Sequence, residues 1–243
     1  MIEAQNLHKR FGDIVAVNGL SFTARDGEVT GLLGPNGSGK TTSLRMLCGL
    51  IEPDAGQLLV DGVAVSDDPL GTRRRIGVLP DTHGLYPRLT AREHARYFGR
   101  LHGLSGAELE DRIGALFEAL EMGRIADRRV EGFSHGERMK VALARAMVHG
   151  PRNIILDEPT NGLDVMGTRA MRTLIRRLRA EGKCVLFSSH IMQEVSALCD
   201  AIVIIANGAV AASGTPDELR SRTGYENLED VFVALTGIDE APP

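Results

Sequence analysis

Residues 34–41 read GPNGSGKT, and this spacing leaves a chain little choice of fold. It matches G-x-x-x-x-G-K-[ST], in which glycines let consecutive backbone amides curl around an anion and the following helix adds the positive end of its dipole. The pattern works only where a strand delivers the loop and a helix leaves it. Both signals are present: GEVTGLLG ahead of it is a compact apolar strand ending in glycine, and residues 39–49 read as a helix. In that context Lys40 reaches the β and γ phosphates of a bound nucleotide, and the Thr41 hydroxyl can ligate Mg²⁺.

The rest of the chain should supply a sheet for this loop. IEAQNLHKRF and IVAVNGLSFTA are rich in strand formers, GQLLVDGVAV reads as a hairpin turning at Asp61-Gly62, and RRIGVLP is a short strand stopped at Pro80. From about Thr90 to His149 the texture is helical, with Thr90 and Glu93 forming one capping box and Ser105 preceding an amphipathic run. After Pro151 strands and helices alternate again: NIILDEP, GTRAMRTLIRRLRAEG, KCVLFSSH, IMQEVSALCD, a hairpin at Asn207-Gly208, and a helix start at TPDELRSRTG. Such alternation predicts a parallel sheet covered on both faces. The expected fold is therefore α/β: a P-loop core with a mainly parallel sheet, an N-terminal antiparallel β-subdomain and an inserted helical subdomain. The expected bounds are a domain over 1–237, with core about 1–85 and 146–222 and helical insert about 86–145. Residues 223–243 are expected to form a short final helix packed on the core and a disordered tail, GIDEAPP.

Three further stretches carry chemistry. NIILDEPT is a buried strand ending in Asp157 and Glu158, where a carboxylate beside the phosphate loop can hold Mg²⁺ and the next can act as general base on water. His190 ends KCVLFSSH. By itself it reads as a helix-capping or half-buried histidine, but its strand should lie beside that of Asp157 and point at the same γ-phosphate. Ser134-His135-Gly136-Glu137 is a second capping box. A capped helix start and a phosphate site are compatible, since the amides a cap satisfies are those an anion uses, yet this start sits in the helical block, away from the first loop. A second copy of the chain would remove that difficulty.

Composition excludes some roles. With 28 Lys and Arg against 32 Asp and Glu, the net charge of −4 argues against a nucleic-acid partner. The start, MIEAQNLHKRFGD, lacks the apolar stretch of a secretory signal, and the longest purely apolar run is AIVIIA, far short of the ~20 residues of a membrane span. Any membrane role should come through a partner. Cys48, Cys184 and Cys199 lack metal spacing and read as reduced, buried thiols of a cytosolic protein.

The phosphate loop, FSHGER, IILDEPTNGLD and SSH, in this order and at these separations, resemble the ATP-binding subunit of an ABC transporter over nearly the whole chain. The resemblance implies a transport-coupled ATP hydrolase with ATP and Mg²⁺ as cofactors. It implies a second ATPase subunit in a head-to-tail homodimer and a membrane-spanning permease that holds the chain at the cytoplasmic face of the membrane. By this likeness Gly34, Pro35, Asn36, Gly37, Ser38, Gly39, Lys40, Thr41 and Thr42 bind ATP. Phe11 stands where an aromatic ring stacks on adenine, although composition alone makes a strand-end core residue as good a reading. Ser134, His135, Gly136 and Glu137 form the signature that clamps the other subunit's ATP, with His135 in place of a glycine and Glu137 in place of a glutamine. Asp164 matches the D-loop that links the two sites, and Lys40, Glu158 and His190 are the catalytic set. Asp81 stands where the family has a glutamine that senses γ-phosphate and ligates Mg²⁺; a carboxylate can still ligate, can act through water, or can have lost the role. THGLYPRLTARE and the stretches around Asp157 and His190 are most similar to sodium-export ATPases, close kin of subunits that export drugs or lipids. Two other classes compete: a soluble ABC ATPase acting on DNA or ribosomes, which usually has coiled-coil inserts or tandem ATPase domains, and a monomeric P-loop kinase or switch, which would not need Ser134 for nucleotide.

Overall fold

The computed structural model describes residues 1–237. The expected tail beyond Gly237 lies outside the described residues. Two sheets stack. The first is antiparallel and holds β1 (Ile2–Phe11), β2 (Ile14–Ala24), β4 (Ala55–Val60) and β5 (Val63–Ala64), in the order β2-β1-β4-β5. The second runs β10 (Ala209–Gly214), β9 (Ala201–Ala206), β3 (Val29–Leu33), β8 (Cys184–Ser189), β7 (Asn153–Asp157), β6 (Ile76–Leu79). Its strands are parallel except β10, which turns back on β9 at one edge.

The side-chain period of two divides the parallel sheet cleanly between two cores. Ile155 and Leu186 face the antiparallel sheet and α1 (Lys40–Leu47), together with Leu7, Leu44 and Val60. Ile154, Leu156, Val185 and Phe187 face the other way, toward helices. Strands buried on both faces must be apolar throughout, and β3, β7 and β8 are buried at every residue.

The helical block contains α3 (Ala91–Leu101), α4 (Gly106–Ala119) and α5 (His135–Met147). Its apolar faces, among them Leu109, Ile113 and Phe117, share one core with Ile154 and Leu156 of the sheet. Thr90 and Glu93 close the expected capping box. Ser105 occupies the N-cap of α4 but its side chain makes no capping bond. The block is not purely helical, because Thr90 and Arg129 form a single antiparallel bridge. The far end of α5 lies on β6, where Gly77 admits the Ala146 carbonyl to a distance any Cβ would overlap.

Both predicted hairpins form with two consecutive residues at positive φ, Asp61-Gly62 (51° and 77°) and Asn207-Gly208 (50° and 79°), which matches the twist of two-residue hairpins. One helix was not anticipated: α2 (Pro69–Arg75), where the Asp68 side chain accepts from the Gly71 amide at 2.8 Å and Pro69 occupies the first turn. Then come α6 (Val165–Ala180), α7 (Met192–Leu198), α8 (Pro216–Thr223) and α9 (Leu228–Thr236). The last buries Leu228, Val231 and Phe232 in the helical-side core.

Candidate functional site: a phosphate-binding cleft at the strand ends

In the sheet register Leu33 lies opposite Ser189, and Ser188 opposite Asp157. Three adjacent parallel strands therefore end level. The loop 34–39, residues 157–158 and His190 emerge from the same edge, where open α/β sheets place their ligands. They border a cleft of about 560 Å³, within the size range of small-molecule sites.

The phosphate loop is shaped by glycine at the positions where nothing else fits. Gly39 has φ 107°, and a Cβ there would sit 2.5 Å from the Ala16 carbonyl. Ser38 N donates to the Pro35 carbonyl at 3.2 Å, tightening the loop. Helix α1 then begins at Lys40 with no side-chain cap and no acidic residue in its first turn, so its leading amides have no side-chain competitor for an anion. Lys40 is 5% exposed. Its ammonium donates to the Gly34 carbonyl at 2.5 Å and the Pro35 carbonyl at 3.2 Å, and lies 3.7 Å from Glu158 Oε1. Burial lowers its pKa, opposed by the charges of Glu158 and Asp157.

Asp157 is buried, and Ser188 Oγ donates to its Oδ1 at 2.5 Å. Burial raises the carboxyl pKa, with the Glu158 and Asp81 charges adding and Ser188 and Lys40 opposing. The same Ser188 oxygen accepts from Glu158 N at 3.0 Å. Ser188 was not singled out in the sequence, yet it fixes both acidic residues to the neighbouring strand. Glu158 has φ 49°, a left-handed conformation that turns its side chain out of the strand line. Its Oε2 lies 2.9 Å from His190 Nδ1. Lys40, Glu158 and His190, far apart in the chain, thus meet in one constellation.

Pro35, Asn36, Gly37, Gly39, Lys40, Thr41, Thr42, Asp81, Asp157, Glu158 and His190 all line the cleft. Gly34 and Ser38 stand behind it. Gly34 is packed so closely under the Ile205 carbonyl and Ser38 that a Cβ would overlap, and the Ser38 hydroxyl is buried with no hydrogen-bond partner among the described residues. Phe11 is half-exposed at the end of β1, while Ile14 and Val15, exposed apolar residues missed in the sequence, form the cleft wall at that hairpin.

The oxygen donors Thr41, Asp157 and Asp81 share this cleft. Among the described residues no three His, Cys, Asp or Glu side chains are grouped to hold a metal by themselves. An ion here must complete its shell with phosphate and water oxygens, which is how Mg²⁺ is usually bound. The donor set fits it.

The structure does not bring the second motif to this cleft. Ser134 Oγ accepts from Glu137 N at 3.2 Å, and Glu137 Oε2 accepts from Ser134 N at 2.9 Å, completing the capping box of α5. The Ser134 amide, helped by Arg128, holds the Glu137 carboxyl below its usual pKa. Gly136 lies in the first turn with open space where a Cβ would be. His135 Nε2 lies 3.1 Å from the Asn161 carbonyl. Asp164 caps α6, accepting from Gly167 N at 2.7 Å, a role its spacing permits but that was not read from the sequence.

Residues 17–161 match the family model described as ABC transporter. The chain is 44% identical to the ABC transporter ATP-binding protein NatA of Bacillus subtilis over 96% of this chain and 97% of that one. It is 42% identical to the Nod factor export ATP-binding protein I of Burkholderia lata, over 94% and 75%. Among solved structures, an ATP-binding subunit of an ABC transporter aligns with TM-score 0.89 and 32% identity, over 97% of this chain and 99% of the other. An ATP-binding cassette described as a dimer in a post-hydrolysis state with ADP and Pi aligns with TM-score 0.80 and 27% identity, over 88% and 98%.

Proposed function

The chain belongs to the ABC transporter family of ATP-binding proteins, and from that premise we propose that it is the transport-coupled ATPase of a sodium exporter. The family supplies the coarser part: an ATP-binding subunit that hydrolyses ATP on behalf of an export system. The sodium reading is supported by the similarity to NatA. The mechanism is supported above all by one observation, the meeting of Lys40, Glu158 and His190 at the level ends of β3, β7 and β8.

Two copies close head to tail around ATP; that a relative is described as a dimer supports the pairing. In each site the glycine loop and the start of α1 cradle the phosphates. Lys40 exchanges its contacts with the Gly34 and Pro35 carbonyls for phosphate oxygens; being buried, it acts with little water screening. Thr41 and Asp157, with Asp81 nearby, would hold Mg²⁺, which would supply charge neutralisation to the phosphates. Glu158 takes a proton from the attacking water as general base. His190, 2.9 Å from its carboxylate, orients that base and faces the γ-phosphate. Ser134 and Gly136 of the second copy complete the enclosure. No helix among the described residues is long and apolar enough to cross a membrane; from the family membership we place the chain at the cytoplasmic face through a permease docked near residues 81–100.

The test uses the chain purified with its membrane subunit and reconstituted in vesicles. ATP-driven Na⁺ movement is expected, with hydrolysis and flux both reduced roughly 10²–10⁴-fold in Glu158→Gln, the usual range for loss of a general base, and ATP binding retained. Hydrolysis without Na⁺ movement would remove the sodium reading, and the similarity to a Nod factor exporter would then direct the search to organic cargo.

A further inference from the structure

We infer that His135 is a positioning residue that couples the two ATP sites, by tying each copy's own Glu158 turn to its own Ser134. This rests on the head-to-tail reading above. His135 directly follows Ser134 at the start of α5. Its Nε2 faces the Asn161 carbonyl at 3.1 Å. A carbonyl oxygen only accepts, so Nε2 carries the hydrogen. The ring lies on Gly162, where a Cβ would stand 3.4 Å from Nε2 and where φ is 71°. Asn161 N in turn donates to the Glu158 carbonyl at 3.1 Å, closing the turn that follows the catalytic carboxylate, and Asn161 itself lines the nucleotide cleft. The His135 ring also meets that of His83, with centroids 5.5 Å apart, and Asp81 and Thr82, just before His83, are cleft wall.

From Glu158 to Ser134 the path is one turn, one hydrogen bond and one peptide unit. In the head-to-tail pair these ends serve different nucleotides: Glu158 acts on the ATP held by its own phosphate loop, Ser134 on the ATP of the other copy. A movement of the 158–161 turn as Glu158 engages its water therefore reaches the helix start that closes on the other site. A glycine at position 135 would offer no side chain for this contact, so the coupling rests on the His135 imidazole. His135 is exposed, so its bond competes with water and contributes little to folding, which allows its functional effect to be read apart from stability.

The experiment measures ATP hydrolysis against ATP concentration for the complex purified with its membrane subunit. The parent should give a Hill coefficient above one, bounded by about 2 for two sites. His135→Ala should bring it to about 1 with the thermal midpoint unmoved, and His135→Gln, whose amide N–H can reach the Asn161 carbonyl, should restore it. Cooperativity that survives in His135→Ala, that is lost equally in Ala and Gln, or that is absent from the parent overturns the inference. ATP-driven pairing of Glu158→Gln copies is measured alongside: copies that never pair sink the head-to-tail reading and this inference with it, whereas pairing with cooperativity intact in His135→Ala sinks only the coupling.

Discussion

Two helices in this molecule begin beside a glycine-containing motif, and they begin in opposite ways. Helix α1 starts after Gly39, at positive φ, without a side-chain cap or an acid in its first turn, and its first residue is a buried lysine. Helix α5 starts after Ser134 in an exposed, fully closed capping box that puts Glu137 at the end where an anion would bind. The first N-terminus is built for a phosphate and has no substitute for it. The second satisfies itself and must share its amides. On the head-to-tail reading proposed above, this difference would order the binding events: nucleotide would load on α1 of each copy, and α5 would join only when a second copy brings its phosphates close.

The sharpest way to break the comparison is to add one methyl group at each motif. Gly39→Ala meets the Ala16 carbonyl at 2.5 Å and is held at φ 107°. Such strain costs about 1–3 kcal/mol before the overlap is counted, so ATP binding should be lost and the thermal midpoint should fall. Gly136→Ala meets nothing within 4 Å and has helical φ. A compatible Gly→Ala change stabilises by about 0.4–1 kcal/mol, so this variant should melt no lower than the parent and bind ATP as well, yet hydrolyse it more slowly because the methyl stands between the helix start and the other copy's phosphate. A Gly136→Ala variant with full hydrolysis would deny α5 any contact with nucleotide.

A smaller effect is expected from Ser134→Ala. Loss of an N-cap costs roughly 1 kcal/mol, leaving the fold intact. Removing one donor to the developing phosphate charge costs roughly 10²–10³-fold in turnover where such a donor matters. A stopped-flow comparison of binding and hydrolysis separates the two: nucleotide affinity of the unpaired chain should not change, while turnover should.

Local chemistry made much of this readable in advance. The phosphate loop and the capping boxes at Thr90 and Ser134 announce themselves within a few residues, because glycine conformations and cap bonds are short-range. The Asp68-Pro69 helix start was just as local and was overlooked between a hairpin and a strand. What stayed hidden was long-range. The KCVLFSSH strand was expected beside that of Asp157, but no pattern along the chain states their register, and only the pairing of Asp157 with Ser188 shows that Ser188 bridges Asp157 and Glu158. The resemblance gave Phe11 as the aromatic, while the start of β2 puts Ile14 and Val15 in the cleft wall. Asn161 and His135 lie in different motifs, and only the packing of α5 against the 158–161 turn brings them together.

The finest test of the contrast is Glu137→Gln. Glutamine keeps the capping box, since its amide oxygen accepts from Ser134 N as the carboxylate does. What goes is the negative charge at the start of α5. That charge suits the helix dipole in the single copy and would repel phosphate in the proposed pair. A charge at a helix end contributes about 0.3–1 kcal/mol, so ATP-driven pairing of Glu158→Gln copies should tighten roughly two- to fivefold when Glu137→Gln is added. The pH dependence gives the sign independently. The folded Glu137 carboxyl titrates below its usual value, chiefly through the Ser134 amide. Its contribution to stability is therefore complete above the unfolded carboxyl pKa and lost as pH falls through the folded one. Glu137→Gln should remove that part of the acid-induced loss of stability while leaving stability near neutral pH slightly lower. Pairing unaffected by the substitution would mean that α5 meets no phosphate across the interface, and the two helix starts would then differ in purpose as well as in construction.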